Sequence, residues 1–520
     1  MRKWLPLTAV CLGAFMLLVD VTIVTVALPD MAADMHSGFA GLQWVMDVYA
    51  LALAALLLGA GSLADRIGRR RVYLGGLALF AAASLACGLA TGPGALIAFR
   101  AFQGIGGAAM FATTMALLSS AYQGRDRGIA FGVWGAVNGA AAAAGPILGG
   151  VLTEQFGWRW IFFINLPVSA LAVYVTLRAV GESRDPRAKG LDLPGMVTFT
   201  AGAGTLTYAL IRGGEDGWTS AATLGLFGLS AVAFAAFVVA ELRGSHPMLD
   251  LSLFRDRTFT GIMAGSLLLS GAAFSYLMYT SLWLQSAEGM GPVGAGLVLV
   301  PLSLAAFVVA AAAGRLLHGM PARLTVGGGL LLIGVGALLQ ALLLDAGDGW
   351  PALVPGLVVT GVGVGAATPA LASAAMAAVA PARAGMAGGA LNTSRQLGNA
   401  LGIAVLGAVF HAGLRSGLGG DGARESARTA EALASGQAAR LIGAAPAGQA
   451  RESVAHLVDL AFASGLRETF VVSGAMGLLG ALLVLLLVRA PRPATAPAAV
   501  PAARTEAAAT EAAAAEAKTP

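Results

Sequence analysis

The chain has 520 residues, of which 57% are hydrophobic and only 11% are charged, and its mean hydropathy is +0.79. These values exclude an ordinary soluble globular protein and predict a polytopic membrane protein. The net charge of +5 does not indicate nucleic-acid binding, because the arginines lie in loops between apolar runs. Both cysteines, Cys11 and Cys87, lie within apolar runs, so neither a disulfide nor a metal site is predicted.

The apolar runs predict the membrane spans. A bilayer core about 30 Å thick is crossed by a helix of about 20 apolar residues, and roughly fourteen runs of that length are present. In chain order they cover residues 7–28, 42–63, 72–90, 95–119, 129–152, 161–177, 193–211, 221–240, 259–284, 294–316, 324–344, 353–377, 385–410 and 470–488. Basic residues fall in alternate loops, which are therefore predicted to be cytoplasmic. An even number of spans then places both termini on the cytoplasmic side of the cell membrane.

The first run is predicted to be a retained span. A cleaved signal peptide with Arg2 and Lys3 as its basic region is the alternative, but many spans follow and Asp20 interrupts the run. An ionised carboxylate inside a bilayer costs about 2.5–3.5 kcal/mol on insertion scales, so Asp20 must face the protein interior. An acid in such surroundings can load and release protons. We predict a coupling or cation-binding role for Asp20, and a purely structural polar contact is the alternative.

Other charged groups reach about the depth of Asp20. Asp47 lies in the second run and Arg100 in the fourth, with Gln103 one turn after Arg100. Two acids and one guanidinium at one depth would form a site of net charge about −1, which a proton or a substrate cation neutralises. The sequence gives the depth of each side chain but not its direction, so this common site is a hypothesis.

The turn at residues 61–71 contains all the charged residues between the second and third runs, together with two glycines: Gly61, Asp65, Arg66, Gly68, Arg69, Arg70 and Arg71. An ordinary basic stop-transfer cluster would explain the four arginines. It would not explain Asp65 or the two glycines, so the turn is predicted to have a specific function.

The fifth run is rich in small residues and includes Gly139, Gly145, Pro146, Gly149 and Gly150. Small residues let helices approach closely, and Pro146 removes a backbone hydrogen bond and bends the span. Close packing alone would explain this pattern.

The last part of the chain has three notable segments. Arg395 lies near the middle of the thirteenth run with Asn392, Gln396 and Asn399, and we expect it to pair with an acid that the sequence does not identify. Residues 414–466 are predicted to be a polar outer loop, with an amphipathic helix around 453–462 and a solvated hairpin as its simplest interpretation. After Pro491 the chain is mostly Ala, Pro, Thr and Glu, which predicts a disordered tail.

Several of these motifs resemble those of a known family. The turn, with the order glycine, spacer, Asp, Arg, spacer, Gly, Arg, Arg, resembles the loop signature of the major facilitator superfamily. Residues 20–29 resemble the first-helix signature L-D-x-T-I-V-N-V-A-L-P of its fourteen-helix drug:proton antiporter family, the EmrB and QacA type. Val19 and Thr25 depart from that signature, where the family has Leu and Asn. Arg100, Gln103 and Gly104 resemble the fourth-helix motif, to which a part in proton transfer is attributed.

Two further motifs extend the likeness along the chain. The glycine order of the fifth run resembles the motif of the antiporter branch, which indicates export over uptake. Asn392, Arg395 and Gln396 resemble the signature N-x-x-R-Q-x-G. In this family an acid placed like Asp65 meets the start of a helix of the other half, here near Gly385, and that contact holds the inner gate shut.

The resemblance implies an all-α major facilitator fold in a polytopic membrane protein. An N-terminal six-helix bundle (1–180) and a C-terminal six-helix bundle (246–490) are expected, joined by two inserted linker helices (181–245). A long outer loop at 414–466 and a disordered cytoplasmic tail at 491–520 complete the predicted organisation. The chain is expected to work as a monomer.

The implied function is proton-coupled antiport, in which amphipathic or cationic small molecules such as drugs and antibiotics are exported by alternating access. The expected partners are the substrate, protons and the lipid bilayer, with no nucleic acid. No enzyme activity, catalytic residue, cofactor or metal is predicted. An ATPase is excluded from this chain because none of Lys3, Lys189 and Lys518 lies in a G-x-x-x-x-G-K-[ST] motif. Two alternatives remain: a dedicated exporter or facilitator of one metabolite or lipid, and a membrane sensor or scaffold that does not transport.

Overall fold

The structure is a computed structural model that describes residues 2–184, 190, 192–244, 247–316, 320–345, 347, 349–379, 384–419 and 423–489. The side chains of some further residues inside the helices, including 138, 139, 313–316, 384 and 385, are outside the described set. All the regular secondary structure in these ranges is helical, and they contain no β-strand. The predicted tail at 491–520 lies outside the described residues.

Among the described residues there are eighteen α-helices, in the order α1 Leu5–Met35, α2 Phe39–Ile67, α3 Arg69–Gly88, α4 Pro93–Ala121, α5 Gly124–Phe156, α6 Trp160–Phe163, α7 Asn165–Ala179, α8 Leu193–Asp216, α9 Ala221–Arg243, α10 Arg257–Phe274, α11 Leu277–Ser286, α12 Pro292–Leu316, α13 Ala322–Leu343, α14 Val354–Ala377, α15 Ala384–Gly417, α16 Ala423–Ala434, α17 Ala438–Ala444 and α18 Gln449–Leu487. Short 3₁₀ turns lie at Arg2–Trp4, Leu251–Arg255 and Trp350–Leu353. We call α1–α7 the first-half helices and α10–α15 with α18 the second-half helices.

A helix covers every one of the predicted spans. Within the described residues, 12 helical segments are long and apolar enough to cross a membrane. The two predicted spans that this count leaves out are covered by α5 and α8, which have 33 and 24 residues. The all-helical fold is therefore confirmed, whereas the count of fourteen spans stays a prediction.

Local sequence explains where several helices begin and end. The side chains of Asp192, Ser220 and Asp256 accept backbone N–H groups at the starts of α8, α9 and α10, which satisfies donors that the helix itself leaves unpaired. Gly68 separates α2 from α3 with a φ of 121°, a backbone conformation that only glycine adopts at low cost. The sixth span is interrupted at Ile164, so that α7 begins at Asn165.

The helices that matter for the site pack through small residues. A Cβ atom on Gly104 of α4 would lie 2.7 Å from the backbone oxygen of Tyr49 on α2. A Cβ atom on Gly150 of α5 would lie 2.6 Å from the Cα atom of Val293 on α12. These backbones touch because the glycines lack side chains, as in other close helix pairs in membranes. The second contact joins a first-half helix directly to a second-half helix.

On the side predicted to be outside the cell, which we call the outer side, further contacts join the two sets of helices. The Nε2 group of Gln43 on α2 donates to the hydroxyl of Tyr279 on α11 and to the backbone oxygen of Ile403 on α15, both at 3.2 Å. Gln285 donates to the backbone oxygen of Val26 on α1 at 2.8 Å. The first-half and second-half helices are therefore in direct contact at their outer ends.

Residues 423–444, which we call the outer hairpin, contain α16 and α17. α16 and α17 each have residues that face the rest of the protein and are fully buried: Ala430, Leu433, Ala434 and Ala438. Glu431 accepts a hydrogen bond from the backbone N–H of Phe39 at 3.0 Å, and its other carboxylate oxygen lies 3.5 Å from Nε2 of His411 on α15. The hairpin thus contacts both halves, rather than lying free in solvent. The helix expected around 453–462 is not a separate element, because it is the first part of α18.

Candidate functional site

Asp20 lies at the centre of a buried polar cluster among the first-half helices. Its Oδ2 atom lies 2.5 Å from Nη1 of Arg100 on α4. Its Oδ1 atom accepts hydrogen bonds from the amide groups of Gln103 at 2.8 Å and Asn165 at 3.1 Å. Asp20 is 0% exposed and Arg100 is 1% exposed. The two charges neutralise each other, so the cluster as a whole is neutral when Asp20 is ionised.

Arg100 is held from several sides. Its Nε group donates to the backbone oxygen of Val45 on α2 at 3.1 Å, and its Nη1 group also donates to the amide oxygen of Gln103 at 2.7 Å. The guanidinium carbon lies 4.3 Å from the centroid of the Tyr49 ring, a distance at which a cation is attracted to the face of an aromatic ring. Arg100 therefore bridges α1, α2 and α4 in one hydrogen-bonded unit.

Two members of the cluster carry no signal in the sequence. Ser84 on α3 accepts hydrogen bonds from the amides of Gln103 at 2.7 Å and Asn165 at 3.0 Å. Asn165 reaches Asp20 because the interruption at Ile164 places it in the first turn of α7. Other Ser and Asn residues lie within the predicted spans, so only the structure distinguishes these two from the others.

Asp47 lies apart from this cluster. It is 0% exposed, and neither carboxylate oxygen has a hydrogen-bond partner in the described part of the chain. One turn before it, Gln43 bonds Ile403, and two turns after it the backbone oxygen of Ala54 accepts from Thr393 at 3.2 Å. On a helix with 3.6 residues per turn, these neighbours share a face with Asp47. Asp47 therefore points toward α15, and the structure does not bring it to Asp20 and Arg100.

Arg395 lies on α15 and, unlike Arg100, it has no polar partner in the described part of the chain. Its side chain is half-buried, and it forms no hydrogen bond or ion pair with any residue that the structure describes. The acid with which the sequence predicted it to pair is not found among those residues. Asn392, Gln396 and Asn399 are likewise half-buried.

In the described part of the chain, the charged turn is bonded to the end of α7 and to the residues that follow it. Asp65 lies 2.8 Å from Arg69. The backbone N–H of Arg70 donates to Glu182 at 3.1 Å, and its guanidinium donates to the backbone oxygen of Leu177 at 3.0 Å. Gly68 is buried against Glu182, while Arg66 is exposed and Gly61 is half-buried. The expected contact of Asp65 with the helix start near Gly385 involves a side chain outside the described residues, and it stays a prediction.

The small residues of α5 have two different partners. Gly145 and Gly149 lie against Thr22 and Ile23 of α1, close to Asp20 in the sequence. Gly150 faces Val293 of α12, and the backbone oxygen of Pro146 lies where a Cβ atom on Gly296 would clash. Gly139 is in the same helix, but its surroundings are outside the described residues. The fifth span thus contacts both the helix that contains Asp20 and a second-half helix.

Residues 10–403 match the family described as the Major Facilitator Superfamily. The chain belongs to the Major Facilitator Superfamily. The predicted superfamily membership is thereby confirmed, and it covers helices of both halves.

Similar proteins of the Major Facilitator Superfamily are known by name. The chain is 39% identical to the multidrug resistance protein Stp of Mycobacterium tuberculosis over 415 residues, which are 80% of this chain and 77% of the relative. It is 33% identical to the tetracenomycin C resistance and export protein of Streptomyces glaucescens over 515 residues, 96% of this chain and 94% of the relative.

Solved structures share the fold at low sequence identity. A bacterial homologue of the human lysosomal transporter Spinster, in an inward-facing and unoccupied conformation, has a TM-score of 0.64 at 18% identity and covers 94% of this chain and 97% of its own. The human organic anion transporter MFSD10 has a TM-score of 0.57 at 17% identity, with coverage of 93% and 99%. These likenesses show the helical fold of the superfamily.

Proposed function

We propose that the protein exports amphipathic small molecules, drugs and antibiotics among them, in exchange for protons. The relatives that support this proposal are resistance and export proteins that align with most of the chain. Within the chain, the main support is the buried cluster of Asp20, Arg100, Gln103 and Asn165. A carboxylate kept inside the membrane is expensive and points to a function by default.

The geometry of the cluster explains how a proton would act on it. Three donors, from Arg100, Gln103 and Asn165, surround the two carboxylate oxygens of Asp20. When a proton binds to Asp20, one of these oxygens becomes a donor and faces another donor. The carboxyl group is then neutral and no longer attracts the guanidinium of Arg100. The cluster must then rearrange, and because it links α1, α4 and α7, its rearrangement changes how these helices pack. Binding of a proton and movement of the first-half helices are therefore coupled.

The second carboxyl group of this mechanism is Asp47. An acid without a partner in the membrane has to bind either a proton or a cation, and Asp47 lies where α2 packs against α15 of the second half. Its protonation would favour that packing, and its ionisation would weaken it. We therefore assign Asp47 a part in proton exchange between the halves, in addition to Asp20.

Opening and closing would follow the scheme of alternating access, with the halves rocking about a central site. The turn with Gly61, Asp65, Arg66, Gly68, Arg69 and Arg70 is assigned to the inner gate, and the glycines of α5 to the contact on which the halves move. The working unit is a monomer in the cell membrane with both termini in the cytoplasm, organised as the two bundles and inserted pair expected from the sequence.

Efflux from everted membrane vesicles with an imposed pH gradient tests the proposal. The probes are amphipathic fluorescent dyes of positive, zero and negative charge. The parent is expected to move at least one of them when the gradient is present, and Asp20→Asn is expected to abolish the dependence on the gradient. Asp126→Asn is the matched control, because Asp126 is a partly exposed acid that pairs with Lys3 at 2.7 Å. Equal gradient-driven rates for the parent and Asp20→Asn would contradict the assignment.

A further inference from the structure

Among the residues whose side chains the structure describes, four charged residues lie within the predicted spans: Asp20, Asp47, Arg100 and Arg395. Asp20 and Arg100 are buried and pair with each other. Asp47 is fully buried. Arg395 is the only one of the four that is partly exposed. The accessible charge inside these spans is therefore positive, in contrast to the cationic cargo that the sequence suggested.

The contacts of α15 determine where Arg395 points. On one flank of the helix, Thr393 bonds Ala54 of α2 at 3.2 Å. On the other flank, Gly398 lies against the backbone of Leu267 on α10. Leu397, on the back of the helix, packs with the apolar cluster that includes Phe199 of α8. At 100° per residue, the sector left over is the one occupied by Arg395, and it faces the interior between α2 and α10.

Partial exposure of a side chain that faces the interior means that it borders an internal space. Gly388, almost two turns before Arg395 on the same face, lies beside Met376 of α14, which places this space among α2, α10, α14 and α15. None of the five N–H donors of a guanidinium is used here within the described chain, because no hydrogen bond or ion pair involves the side chain of Arg395. The described chain supplies no anion to this cation, so a bound molecule would have to supply it.

Two amide side chains share the sector with Arg395. Asn392 precedes it by one turn and Asn399 follows it by one turn, so both lie on the same face of α15. Both are half-buried, and neither side chain has a hydrogen-bond partner among the described residues. A planar guanidinium with flanking amides matches a carboxylate, which accepts two parallel hydrogen bonds from Arg and further ones from amides.

We propose that Arg395, with Asn392 and Asn399, binds a carboxylate or a similar oxyanion of the exported molecule. This inference rests on the proposed export function and names the substrate class that the interior site selects. The two buried acids, Asp20 and Asp47, bind the protons, and Arg395 binds the negative charge of the exported molecule. The cargo is then an amphipathic acid rather than an amphipathic cation.

The test uses one fluorescent amphipathic dye in two forms, as a free carboxylate and as its methyl ester. Gradient-driven efflux from everted vesicles gives KM for each form, and binding to purified protein is measured by fluorescence anisotropy. Arg395→Gln is expected to raise KM and Kd for the carboxylate by about tenfold or more, the size of a lost charge-assisted hydrogen bond. The values for the ester should stay within about twofold. Arg395→Lys keeps the charge and should lie between the parent and Arg395→Gln.

Arg415→Gln is the matched control, because Arg415 is exposed near the other end of the same helix, and it should leave both forms unaffected. An equal loss for the two forms, or no change for either, would overturn the assignment of Arg395. If Arg395→Gln does not fold, the parent and Arg395→Lys decide, since a parent that prefers the ester contradicts the proposal. A parent that moves neither form nor any dye of the earlier panel contradicts the export function itself, whereas efflux of the ester alone contradicts only the anion site.

Discussion

At the scale of single residues, the pair of Asp20 and Arg100 depends on the groups around it. Removing two charges from water costs several kcal/mol for each ion. Here the cost is offset by the short contact between the charges, by the amides of Gln103 and Asn165, and by the backbone oxygen of Val45. If one charge is removed, the other remains buried without compensation.

This dependence predicts a characteristic pattern of stability. Arg100→Gln is expected to lower the free energy of unfolding by about 3–5 kcal/mol, the usual loss when a buried pair is broken. The double variant Asp20→Asn with Arg100→Gln should recover part of that loss, because no unpaired charge is left. Thermal unfolding of the detergent-purified protein measures both, with Arg66→Gln as an exposed control. A double variant as unstable as Arg100→Gln alone would show that the pair is not the source of the loss.

At the same scale, depth could be predicted from the sequence but direction could not. Counting residues from span ends placed Asp20, Asp47 and Arg100 at one level, and the structure brings Asp20 and Arg100 together. Asp47 points away from them because a step of one residue turns a helical side chain by about 100°. The part played by Asn165 depends on the interruption at Ile164. Pro167 in the same run indicates a break in the helix, but it does not show that Asn165 faces Asp20.

At the scale of elements, the contact of α5 with α12 joins the two sets of helices through backbone atoms. Gly150 lies against Val293, and Gly296 lies against Pro146. Backbone cannot move aside as a flexible side chain can, so the contact leaves no room for even a methyl group. The outer ends of these helices are therefore close only while these glycines are retained.

Gly150→Val is expected to disfavour this closed arrangement by about 1–3 kcal/mol, the typical cost of overpacking. Spin labels at Asp30 and Glu288, which are exposed on the outer side, should then report a population at longer distances. Gly228→Val is the matched control, because a Cβ atom on Gly228 of α9 would meet no described atom within 4 Å. Unchanged distances in Gly150→Val would contradict the proposed role of the contact.

The run of small residues predicted close packing of the fifth span but not its partners. A glycine shows that another backbone can approach, and it does not say which one. Gly145 and Gly149 turn out to face α1, while Gly150 faces α12. The same limit applies to the charged turn, whose partner Glu182 is a single acid more than a hundred positions away in the chain and has no motif of its own.

At the scale of the whole molecule, the inserted pair α8 and α9 determines whether the chain crosses the bilayer twelve or fourteen times. Large apolar side chains of this pair are unusually exposed, with Val197 65%, Val232 67% and Leu242 70% accessible. Apolar surface of this extent is costly in water and costs nothing against lipid. Lipid contact therefore explains the composition of these two helices.

Reporter insertions distinguish the two topologies. If α8 and α9 both cross, the turn between them at Gly217 is outside, and alkaline phosphatase inserted there should be active. Insertion after Gly181, on the predicted cytoplasmic side, should give an inactive enzyme and serves as the control. Activity at Gly181, or inactivity at Gly217, would reject the fourteen-span arrangement.

The outer segment shows why composition alone is a poor guide to docking. Residues 423–444 contain several charged side chains, which is typical of a solvated loop. Their small residues recur every three or four positions, however, and form a face that buries Ala430, Leu433 and Ala434 completely. The sequence contains that face, but the surface on which it docks exists only after the two halves have met.

Glu431 accepts a hydrogen bond from the backbone N–H group at the start of α2 and also lies beside His411 on α15. One side chain therefore contacts both halves of the molecule. Any conformation that is open toward the exterior has to break the contact of Glu431 with at least one of the two halves. In the predicted topology Glu431 lies outside the bilayer, where water-soluble reagents arrive without passing through lipid. Reagents that do not enter the cell are therefore expected to reach this contact and to hold the outer ends of the two halves together.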